Sequence, residues 1–167
     1  MNSVETKPSR IHPAKRLAYA LVGLLAGDVM LLFFLLRRAL HGALLAGEPA
    51  GLIPDALQAF VLYASFSFLG WLFVGLPTAL LFPARSITRL SWPSAMIVGA
   101  GLGPLALLVI FVLLAHNHIY FRNLTETRTL FAYSILVSTV SFMVYRVLLR
   151  KERQSQPNPS TRFFHQA

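Results

Sequence analysis

The chain has 167 residues, of which 56% are hydrophobic and only 13% charged, and its mean hydropathy is +0.62. That balance excludes an ordinary soluble domain and points to an integral membrane protein. Fifteen Lys and Arg residues give a net charge of +9, but they flank apolar runs and line no aromatic-interleaved face, which argues against a nucleic-acid partner; with no cysteine there is no disulfide, thiolate metal site or thiol nucleophile.

Residues 1–16 form a basic N-terminal segment. Four apolar runs follow, each long enough to cross a hydrocarbon core about 30 Å thick as a helix. They run from Leu17 to Leu36, Leu57 to Phe82, Ala95 to Ala115 and Leu130 to Leu149, bounded by charge or proline such as Arg16, Arg37, Asp55, Pro83, Pro93 and Arg150. The predicted fold is therefore an all-α integral membrane protein with one four-helix transmembrane domain over 17–149. Residues 150–167 are polar and proline-bearing and are expected to form a disordered tail whose basic residues touch anionic headgroups.

Orientation follows from counting basic residues on each side of the even number of spans. Eleven of the fifteen, including Lys7, Arg10, Lys15, Arg16, Arg85 and Arg89, fall on the side of the termini, which predicts that both termini are cytoplasmic. Arg37 and Arg38 oppose that orientation. A cleaved signal peptide competes for the first run, because Lys15 and Arg16 precede it and Ala43 and Ala46 follow, but the run is long and holds an acid.

That acid, Asp28, is the anomaly of the first span. A carboxylate in mid-membrane costs roughly 2.5 to 3.5 kcal/mol, so it needs compensation. Beside it, Gly23 and Gly27 form a GxxxG groove in which another helix backbone fits closely. In the third span Ala95, Gly99 and Gly103 recur every four residues, which predicts packing of the first span against the third. The fourth span carries Ser134, Ser138, Ser141 and Tyr145 as a polar stripe. Counting helical rise from the inner boundary places Asp28 and Ser138 at the same height, about 16 Å in. Ser138 is thus the expected partner of Asp28, with Ser67 of the second span somewhat further out. The competing reading is that these hydroxyls bond back to their own helices. With no cation at its level, Asp28 is expected to stay largely neutral and act as a donor. Arg146, near the inner interface, is expected to snorkel. Pro77 and Pro104 are candidate hinges.

The weak metal candidates are His116 and His118, an H-x-H pair that needs a third ligand, for which His41, Glu48, Asp55 and Glu126 come into question; interfacial polar residues are the simpler reading. Asn123 to Thr125 fits a glycosylation sequon, relevant only in a secretory-pathway host. No catalytic motif occurs, and no cofactor is implied. Four spans with one acid in the first is also the layout of small multidrug-resistance transporters, but the acid there is a glutamate, this chain has longer ends, and no motif of that family is matched. The leading expectation is a small non-catalytic protein of a bacterial inner membrane, surrounded by lipid and packing against a second copy or a larger membrane assembly. The alternative is a proton-coupled transporter or permeation pathway that uses Asp28. A toxin-binding immunity or stress protein has only size and basic character in its favour.

Overall fold

The computed structural model describes residues 11–46, 52–114 and 124–155, which are helical apart from short turns, with no strand among them. In chain order the helices are α1 (Pro13–Ala46), α2 (Leu52–Gly70), a π-helical turn (Trp71–Gly75), α3 (Leu76–Leu81), α4 (Ala84–Arg89), α5 (Trp92–Leu114) and α6 (Leu124–Ser155). Four stretches are long and apolar enough to span a membrane: Pro13–Leu44, Leu52–Leu81, Trp92–Leu113 and Thr127–Ser155. Their number is that expected from hydropathy, while all four start earlier than expected and the first and fourth also end later. A bilayer forces every backbone group to find its partner within the helix, so helices persist until a capping signal stops them.

Those signals are local. Pro13 opens α1 at a position where its missing N–H costs nothing, and the His12 imidazole accepts from the Ala14 N–H at 3.4 Å. Ser91 begins α5: its hydroxyl accepts from the Ser94 N–H at 3.3 Å, so the helix starts at Trp92, three residues before the expected boundary. Phe82 is extended (φ −75, ψ 130) because Pro83 disfavours helical geometry in the residue before it. α6 runs on to Ser155, six residues into the stretch expected as tail; residues 156–167 lie outside the described ones.

The bundle is a ring. α6 packs extensively on α1 and on α5, α2 packs on α1 and more lightly on α5, and neighbours run antiparallel. The expected pairing of the first and third spans is therefore corrected, since both glycine faces are turned to α6. A Cβ on Gly23 would lie 2.5 Å from the Ser141 carbonyl oxygen, and one on Gly99 would lie 2.9 Å from the Thr139 Cα. One glycine groove can hold one helix, and α6 offers two adjacent rows of suitable residues: Val137, Ser141 and Tyr145 toward α1, and Ser134, Ser138 and Phe142 toward α5. Gly101 meets nothing within 4 Å.

Two cores close the ends of the ring. One gathers Ala20, Ala79, Ala95, Phe142, Tyr145 and Leu149; the other gathers Leu31, Leu35, Ala56, Tyr133 and Val137. The first core lies at the basic end. There Lys15 pairs with Glu152 at 2.6 Å, Arg16 donates to the carbonyl oxygens of Leu80 (3.3 Å) and Phe82, and Arg153 donates to Thr88 at 2.8 Å. These bonds put the start of α1, the end of α6 and the 82–91 connection on one side.

Candidate functional site

Between the two cores the ring lines a partly open cavity of about 140 Å³. Its wall is mostly aliphatic and aromatic, with Leu24, Leu31, Leu107 and Ile110 contributing from α1 and α5. Tyr63 and Tyr133 line it towards one end, their rings edge to face at 4.9 Å, and Arg38 donates to the Tyr133 hydroxyl at 3.3 Å. Towards the other end Tyr145 lines it and donates to the Ala79 carbonyl oxygen at 3.4 Å. The two tyrosines are twelve residues apart on α6, about 18 Å of helix rise, so the chamber extends through much of the bundle's depth.

The expected polar residues divide into three groups. Ser134 and Ser138 line the cavity, but their hydroxyls donate to their own helix, to Phe131 at 2.8 Å and Ile135 at 3.2 Å. Thr139 does the same to Ile135 at 2.6 Å. Ser138 is thereby corrected as the partner of Asp28. It has the right height but faces Gly103 of α5, whose added Cβ would lie 2.5 Å from its oxygen. The hydroxyl near Asp28 is instead that of Ser67 across the α1–α2 contact, and Ser67 lines the cavity. The Asp28 Oδ1 is buried with no hydrogen-bond partner among the described residues.

The third group has free polar atoms at the wall. Ser141 alone of the stripe has a buried hydroxyl with no partner, and the indole Nε1 of Trp71, also a lining residue, is likewise buried and unpartnered. Trp71 begins the π-helical turn, in which the Leu76 N–H bonds to the Trp71 carbonyl oxygen one residue beyond the usual α spacing. A turn of this kind inserts an extra residue into the helix and is common at functional sites. It precedes Pro77 and gives the span its irregularity there, whereas α5 runs unbroken through Pro104. Gly75 makes room for the indole, since a Cβ there would lie 2.9 Å from Trp71 Cδ1.

Sequence reasoning gave Trp71 no role; Pro77, a candidate hinge in the sequence, follows its turn. It also treated Arg146 as snorkelling. Here Arg146 is only 5% exposed, donates to the Leu90 carbonyl oxygen at 2.6 Å and lies 5.7 Å from the centre of the Trp92 ring. His116 and His118 lie outside the described residues, and among those described no three potential metal ligands converge. No family model, curated protein or solved structure matches this chain.

Proposed function

We propose that this is a non-catalytic multi-pass protein of a bacterial inner membrane, both termini cytoplasmic, in which Asp28 takes up and releases a proton as part of a permeation or transport pathway through the bundle. The observation that carries this reading is the arrangement of Asp28 and Ser67: a mid-membrane carboxyl whose Oδ1 has no partner among the described residues, near a serine of the cavity wall. An acid kept only for packing does best with every polar atom satisfied. One with a vacant acceptor beside a chamber is suited to receive a proton or water.

The basic residues gathered at the end shared by the start of α1 and the end of α6 support the cytoplasmic placement of that end. Reporter fusions at the two termini test it, and a periplasmic reporter active at either terminus would overturn it. The assembly reading has one specific observation in its favour, that the α2 span is the least buried of the four, which leaves its outer face for lipid or a second copy. Infrared difference spectroscopy of the Asp28 carboxyl stretch in lipid, with Asp28→Asn as blank, separates the two. Reversible titration in the physiological pH range supports the pathway. A carboxyl signal that does not move with pH would sink it in favour of a sealed interhelical contact.

A further inference from the structure

The geometry points to the central cavity as a binding site for a small uncharged molecule that is largely apolar. The argument starts from its wall. None of the lining residues is Asp, Glu, Lys, Arg or His, so a charged ligand would be desolvated without a counter-charge, which is prohibitive at this depth. The polar atoms of the lining residues offer a guest little: the Thr78, Ser134 and Ser138 hydroxyls donate within their own spans, and the Trp71 indole N–H and the Ser141 hydroxyl are sealed from the cavity space, the latter against Gly27 of α1.

Size narrows the class further. A cavity near 150 Å³ in a soluble protein admits a benzene-sized guest, so about 140 Å³ suits a ring or short chain of about six to eight non-hydrogen atoms. The walls are built to keep that space open. Gly70 on α2 is so close to α5 that a Cβ there would come within 3.0 Å of the Ala106 Cβ, fixing the α2–α5 separation. On the far side, the glycine faces of α1 and α5 fix the position of α6. The site rests on the preceding reading only for its consequence, that the bound molecule is what passes through the bundle.

Trp71 reports directly on occupancy. Trp71 and Trp92 are the only tryptophans, so in Trp92→Phe protein in lipid vesicles the emission comes from Trp71 alone. Tribromoethanol, an uncharged heavy-atom quencher of the right size with one oxygen, is the probe. The expected result is saturable quenching, weakened by narrowing the chamber with Leu107→Phe. Quenching that rises linearly with probe partitioned into the vesicles and is unchanged in Leu107→Phe overturns the site. So does strong quenching by vesicles with dibrominated acyl chains that also blocks tribromoethanol, because a lipid tail would then be the occupant. Asp28→Asn should leave probe binding intact while removing the infrared titration, so the two readings fail separately.

Discussion

Gly27 of α1 lies so close to Val137 of α6 that a methyl group on it would stand 2.7 Å from the Val137 carbonyl oxygen. The obstacle is backbone, which has no rotamer to move away, so a side chain here must push the two helices apart. Gly23 is similarly placed against Ser141. Alanine at Gly23 or Gly27 should therefore destabilise the bundle by about 1–3 kcal/mol, the usual cost of overpacking. Gly101, with open space around its Cβ position, is the control: Gly101→Ala should hold or slightly raise stability, since alanine is the better helix former. Thermal unfolding of the three variants in detergent, followed by circular dichroism, compares them, and equal midpoints for Gly27→Ala and Gly101→Ala would refute the close α1–α6 packing.

The basic end makes a second prediction. Arg146 is buried and holds the Leu90 carbonyl oxygen where the chain turns from α4 into α5. Arg146→Gln removes a charge-assisted bond of about 1.5–3 kcal/mol, and Arg146→Lys retains the charge but not the planar guanidinium that faces Trp92. Both should loosen the 82–91 connection, glutamine more than lysine. Trypsin should then cut faster after Arg85 or Arg89; cleavage at the wild-type rate would mean that Arg146 does not anchor the connection.

How much of this was legible in the sequence depends on whether a quantity runs along a helix or around it. Height is linear in residue number, so hydropathy yielded four spans, and counting rise placed Asp28 level with Ser138. Gly27 indeed packs against Val137 and Ser141, which bracket Ser138. Rotation about the axis depends on which neighbour each helix meets, and one sequence carries little of that. Ser138 is thus turned toward α5, and Ser67 takes the place beside Asp28. The glycine patterns of the first and third spans were visible as grooves, but that both would receive the same helix was not, because α6 matches them with serines and backbone instead of a glycine motif of its own. Arg146 was misread because a cation near the membrane boundary has two outlets, water and an unpaired helix-end carbonyl, and only the fold supplies the second.

The π-helical turn supplies a third prediction. Gly75 leaves space for the Trp71 indole, and a Cβ would stand 2.9 Å from Trp71 Cδ1. The obstacle is a side chain, so the protein should still fold with Gly75→Ala while the indole shifts from its place in the cavity wall. In Trp92→Phe protein, Gly75→Ala should change the Trp71 emission maximum and leave helix content unaltered. An unchanged emission spectrum would show that the glycine is not what sets the indole's position.

Asp28 and Ser67 give the last prediction, which turns on what each replacement leaves behind. Asp28→Leu deletes the carboxyl and leaves Ser67 facing an apolar side chain; since Ser67 can turn back to a carbonyl of its own helix as Ser65 does to Val61 at 2.8 Å, the fold should tolerate it. Asp28→Asn keeps the shape and a hydrogen-bonding group but cannot exchange a proton, so stability should match wild type while any proton-dependent flux disappears. Ser67→Ala removes the neighbouring hydroxyl and keeps the acid, which should leave flux measurable. Proton flux into vesicles loaded with a pH-sensitive dye ranks the three. If Asp28→Asn conducts like wild type, the acid is an interhelical contact, and its vacant oxygen is filled by water with no part in a pathway.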